Sequence, residues 1–212
     1  MTTRVFALAV LLFGELAVAE EPVSRSAISA DMLNYYGGER SSAYFVLVHG
    51  VASAGLGSYL LANNNPSEFD RGLAYTLWSV SALELLGGIS YAVQCNREIS
   101  QYGGELAADP VKFKEDELAH IDGTRSRFIY YRMFEAAISL AGVGFLTYGL
   151  AADRDTSKGI GLGLAATGIP LLVMDTINND RAAGYVERLR AFNPSVAIQR
   201  DGSFTFGIAS RF

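Results

Sequence analysis

A single cysteine, Cys95, occurs in the 212 residues of this chain. One thiol can build neither an internal disulfide nor a thiolate metal site, so Cys95 reads as a small buried apolar residue near a helix end. Charge is also scarce. Only 18% of residues are charged, against roughly 25% in ordinary soluble domains. The net charge is −5 and no Arg/Lys cluster interleaves with aromatics, which excludes nucleic acid as a general partner. A complete nucleophile elbow is missing, as are a Walker lysine-serine pair and a second E-x-x-H copy to match Glu117–His120. Those absences leave no catalytic residue, no metal ligand set and no cofactor to assign. Glu117 and His120 then read as part of a solvated helix face.

Apolar residues, by contrast, are plentiful. Half of the residues are hydrophobic, mean hydropathy is +0.21 and there are 22 glycines. Four apolar segments stand out: 42–62, 72–94, 133–152 and 159–177. Each has the length needed to cross the roughly 30 Å apolar core of a bilayer. Short polar links, 63–71 and 153–158, join them into two hairpins, and a longer polar connector, 95–132, lies between the hairpins with a helical piece near KFKEDELAHID. The expected fold is therefore an all-α membrane protein, a four-helix bundle of two helical hairpins over residues 42–190. A polar segment, 20–41, precedes it.

The two ends carry their own signals. MTTRVFALAVLLFGELAVA has a basic start, an apolar core and the small-x-small pattern Ala17-Val-Ala19. This predicts a signal peptide over 1–19; an uncleaved anchor is the rival, because Glu15 is unusual in such a segment. Near the other end, Asp201-Gly202 sits between two alternating runs, which predicts a short C-terminal β-hairpin over 191–212. A cell-envelope location follows from the signal, in the inner membrane rather than the outer, with the lipid bilayer as partner. One conflict stands. A signal peptide places most Arg and Lys outside, against the positive-inside tendency.

The stretch YFVLVHGVASAG, 44–55, could be read as a hydrolase strand ending in His-Gly. Its nearest elbow, Gly88-Ile-Ser90-Tyr-Ala92, lacks the final glycine, and no strands surround it. A helix explains it better. At about 100° per residue, His49, Ser53 and Gly57 form one stripe and Gly50, Ala54 and Ser58 the next, with bulky residues opposite. Helices in lipid associate through small residues, so Gly50, Ser53, Ala54 and Gly57 are expected packing positions. Gly159 and Gly163, in G-x-x-x-G spacing, are further ones. A homo-oligomer or other envelope proteins would be met through such faces.

Each span carries one ionisable residue: His49, Glu84, Glu135 and Asp175. Such groups are costly in hydrocarbon and should meet partners inside the bundle. His49 and Glu84 are about equally far from the first turn, so they should face each other. The same holds for Glu135 and Asp175 about the second turn, with Arg132 and Arg181 near enough in sequence to neutralise them. The function expected is non-enzymatic structure or interaction; the alternative is a small transporter or channel component using His49 and Glu84.

A shift of 87 residues places Ala54-Gly-Leu-Gly57 on Ala141-Gly-Val-Gly144, and Arg71-Gly72-Leu73 on Lys158-Gly159-Ile160. One offset for two helix pairs suggests a parallel internal repeat. The run GIGLGLAATGIPLLVMDTINNDRAAGYVERLR, 159–190, has a Gly-rich start and an apolar stretch ending in Asp at Leu171–Asp175. In this it resembles the last span of a family of small four-helix bacterial membrane proteins of unknown function. The resemblance covers roughly residues 40–190 and implies architecture alone.

Overall fold

The computed structural model describes residues 23–194 and, as backbone, the short segments 196–198 and 204–206. Residues 1–19, where the signal peptide is expected, lie outside the described residues.

Among the described residues the chain forms four helices: α1 (Arg25–Leu61), α2 (Glu68–Ala108), α3 (Pro110–Ala151) and α4 (Asp155–Ala191). All four are long and apolar enough to cross a membrane. The stretch 44–55 lies wholly inside α1. At 1.5 Å per residue, helices of 37 to 42 residues run about 55–63 Å, nearly twice the apolar thickness of a bilayer. The expected polar segment 20–41 is, from Arg25 onward, the first half of α1. The expected connector 95–132 is likewise the end of α2 and the start of α3.

The boundaries follow from capping. Ser67 and Asp70 form a reciprocal capping box at the start of α2, which satisfies two of the helix's free N–H groups. Between α2 and α3 a single residue, Asp109, is non-helical. The proline after it biases Asp109 to an extended backbone, and Pro110 needs no N–H partner at the first helical position. The Asp109 carboxylate accepts from the N–H groups of Val111 and Lys112, each at 3.1 Å. At the C-terminal ends of α2 and α4, basic side chains cover carbonyls left over by the last helical turn. Arg25 donates to the carbonyls of Leu106 (2.6 Å) and Ala107, and Lys114 to those of Arg190 (2.9 Å) and Phe192 (2.6 Å). The α3–α4 link is short, and Asp153 takes a left-handed backbone with φ 50°, a conformation Asp tolerates better than most residues.

Each helix changes character along its length. Toward the Asp109 end the bundle has an ordinary core: Ile28, Tyr36, Phe113, Ile121 and Leu189 are almost fully buried. Toward the other end the order is reversed. Glycines and serines face inward, while Val48, Leu83, Leu140 and Ile177 are all more than half exposed. We refer to these as the polar half and the apolar half.

Burial also exposes the repeat. Six buried positions of α2 fall on buried positions of α4 at the 87-residue offset: Gly72 on Gly159, Ala74 on Gly161, Ser81 on Gly168, Gly88 on Asp175, Cys95 on Ala182 and Tyr102 on Leu189. For α1 and α3 the offset is 89: Ile28 on Glu117, Met32 on Ile121, Glu39 on Phe128, Gly50 on Ser139 and Ser53 on Gly142. The match of Gly57 with Gly144 is therefore out of register. Gly57 is packed against Trp78, whereas Gly144 faces open space. The first hairpin's longer link, 62–67 against 152–154, accounts for the change of offset.

The C-terminal β-hairpin expected over 191–212 is not supported. Ala191 still belongs to α4. Beyond Pro194 only the three-residue segments Val196–Ile198 and Phe204–Phe206 are described, paired antiparallel, and the Asp201-Gly202 turn lies outside the described residues. Two strands that short are not a stable element by themselves.

Candidate functional site

The four intramembrane candidates fall into two pairs. His49 Nδ1 lies 2.8 Å from Glu84 Oε1 across the α1–α2 contact. Glu84 is buried and His49 partly so. Gly50, beside His49, makes room for this pair: a Cβ there would sit 3.1 Å from Glu84 Cβ. In the second hairpin the carboxyl groups of Glu135 and Asp175 are hydrogen-bonded to each other. Glu135 Oε2 is left buried without a hydrogen-bond partner.

The repeat makes these pairs exclusive. The counterparts of His49 and Glu84 are Ile138 and Leu171; those of Glu135 and Asp175 are Val46 and Gly88. Each hairpin thus has one polar pair where the other has apolar residues.

The expected neutralising arginines divide. Arg132 starts the span one turn before Glu135, and its Nε donates to the Phe128 carbonyl at 3.4 Å. Arg181 does not reach Asp175. It lies between α1 and α4, donating to Asn178 Oδ1 at 2.9 Å and standing 3.8 Å from Glu39. Ser42 also donates to Asn178 Oδ1, at 2.8 Å. The physical reason is space: Arg181 lies over Gly38, where any Cβ would collide with the guanidinium.

The expected packing positions are mostly at close contacts. A Cβ at Gly57 would meet Trp78 at 2.6 Å, and one at Gly163 would meet Thr76 at 2.8 Å. At Gly159 it would strike the carbonyl of Phe69 and, at 2.7 Å, the backbone nitrogen of Leu73. Gly72, the counterpart of Gly159, would meet the Thr156 carbonyl at 2.5 Å. Since Phe69 and Thr156 are themselves counterparts, the α2–α4 contact is reciprocal, as two-fold contacts are. Ser53 is buried and Ala54 only half-buried.

One polar site escapes sequence reading. Glu117, expected on a solvated face, is completely buried in the core of the polar half. The hydroxyls of Tyr36 and Tyr185 both donate to its carboxylate, each at 3.0 Å. Burial pushes this carboxyl up to about 7, against the two tyrosine hydrogen bonds, which pull it down. The signal was present: Glu117 sits midway in the stripe Phe113, Glu117, Ile121, one turn apart, flanked by core residues. His120 pairs with Glu98 at 3.1 Å. That hydrogen bond holds its imidazole above the ordinary range.

Comparison of the chain with protein-family models, with curated proteins and with solved structures finds no match. What defines the class is the fold: a two-fold-like bundle of helical hairpins, each helix long and apolar enough to cross a membrane.

Proposed function

We propose that this chain is a non-enzymatic integral membrane protein of the cell envelope. Its apolar half spans the bilayer and its polar half stands in water as a folded bundle. The observation that carries this reading is the reversal of polarity along every helix. In the polar half, aromatic and aliphatic residues are inside. In the apolar half, small residues are inside and large apolar ones outside. Close approach through Gly and Ser is how helices associate where no hydrophobic effect drives them together. The outward apolar face has no use in water, where so large a patch marks an interaction site.

The His49–Glu84 and Glu135–Asp175 pairs fit this role. Each joins the two helices of one hairpin and satisfies a group that lipid would penalise. A four-helix bundle is also what the resemblance of roughly residues 40–190 to small four-helix bacterial membrane proteins would imply. The chain's work is then to present the polar bundle at a membrane surface for homo-oligomeric or other envelope contacts.

Cysteine labelling tests the placement. Cys95 is fully buried and gives a silent background. In intact membranes, Val48→Cys and Leu140→Cys should resist a water-soluble maleimide that labels Asp122→Cys. Equal labelling of all three would refute a bilayer around the apolar half.

A further inference from the structure

The repeat creates two related seams, one between α1 and α4 and one between α2 and α3. In the first, Arg181 lies over Gly38 and faces Glu39 and Asn178, and only a smaller hollow of about 250 Å³ is left beside it. In the second seam the counterparts of Arg181 and Gly38 are Gln94 and Arg127. There a cavity of about 430 Å³ remains, reaching from the α2–α3 surface inward to α1 and α4.

Its inner wall is acidic. Glu39, Glu135 and Asp175 line it, and they are 3%, 9% and 7% exposed. Glu39 Oε1 and Glu135 Oε2 are buried with no hydrogen-bond partner; the nearest cation to Glu39 is Arg181, 3.8 Å away in the other seam. The cavity's own cations are engaged elsewhere. His120 is paired with Glu98, and Arg127 is exposed, donating to Thr124 on its own helix at 3.2 Å. Around the acids stand aromatic faces, among them Tyr91, Phe128 and Tyr131, the surroundings that favour a desolvated organic cation. Buried carboxylate oxygens without partners are costly, and a cationic donor would relieve that cost.

We propose that the α2–α3 cavity binds a lipophilic organic cation, its ammonium or similar head against Glu39, Glu135 and Asp175 and its apolar body against the aromatic wall. The cavity spans the change from polar to apolar half, which suits an amphipathic ligand. Such a head could come from a free lipophilic amine or from an aminolipid. The placement in a bilayer matters only to the route of entry, so a test in detergent separates this proposal from the membrane reading.

The test is calorimetric titration of the full chain, purified in dodecyl maltoside, with tetraphenylphosphonium. Its isosteric anion, tetraphenylborate, is the control. Binding of one cation per chain, with no heat from the anion, is expected. Asp175→Asn and Glu135→Gln should each weaken it about tenfold or more. Gly87→Phe keeps every carboxylate and should abolish binding by filling the cavity, since a Cβ at Gly87 meets nothing within 4 Å. This variant also guards against loss of fold in the acid variants. Competition by short-chain phosphatidylethanolamine would identify the aminolipid as the source, and its failure to compete would identify a free cation. Equal binding of both ions, absence of cation binding, or full binding by Gly87→Phe would each overturn the proposal.

Discussion

His49 Nδ1 and Glu84 Oε1 meet at 2.8 Å between α1 and α2, and no other charged or imidazole side chain lies in segments 42–62 and 72–94. Removing one partner should therefore cost more than softening it. Glu84→Ala leaves His49 without its acceptor and should destabilise the protein by about 1–3 kcal/mol. Glu84→Gln retains an acceptor and should cost less than about 1 kcal/mol. Reversible unfolding in mixed micelles measures both. Equal losses would show that the hydrogen bond contributes nothing.

Gly159 and Gly87 make opposite predictions for the same substitution. Gly159→Ala drives a Cβ into the backbone of α2, and should cost about 1–3 kcal/mol as overpacking does. Gly87→Ala enters open space and should stabilise by up to about 1 kcal/mol through helix propensity. Thermal melts in detergent would rank them. The reverse order would contradict the α2–α4 contact.

Glu117 should make stability depend on pH. Its carboxyl is raised in the folded protein, to about 7 from 4.5, so the unfolded chain releases its proton first. Stability is then full below pH 4.5 and falls as pH rises toward about 7, by on the order of 3 kcal/mol. Glu117→Gln removes that contribution and should melt higher than wild type at pH 8, with no such gain at pH 4. Parallel pH profiles for the two proteins would refute the assignment.

Arg181→Ala should be among the more damaging changes in the polar half. It leaves Glu39 and Asn178 buried in the α1–α4 seam without their cation. A loss of about 3 kcal/mol is expected, partly recovered by adding Glu39→Gln. Additive losses in the double variant would show that the two residues do not act on each other.

Much of this architecture was legible in the sequence because intramembrane charge is rare. Two ionisable residues equidistant from a turn had few other partners, and His49 and Glu84 met accordingly. The polar half was less legible. Its helices carry so many charges that α1 before Ser42 and α2 after Gln94 read in sequence as a polar segment and a polar connector. The physical evidence lay in Asp109-Pro110, a combined stop and start signal that leaves no room for a connector. Glu117 was misplaced because its neighbours in sequence are charged, although its neighbours along the helix face are Phe113 and Ile121. The 87-residue offset legible in the letters aligns buried positions of α2 with those of α4, whereas buried positions of α1 and α3 align at 89. Identical glycine motifs there face different ways, and similarity of letters does not record facing.

The one-residue joint at Asp109 has a mechanical consequence. It pins α2 to α3 at the end of the polar half with no slack, so neither helix can slide along its axis without dragging the other. At the opposite end these two helices share no link. The pair is built like tongs. Any movement that parts them must pivot at Asp109 and gape widest in the apolar half.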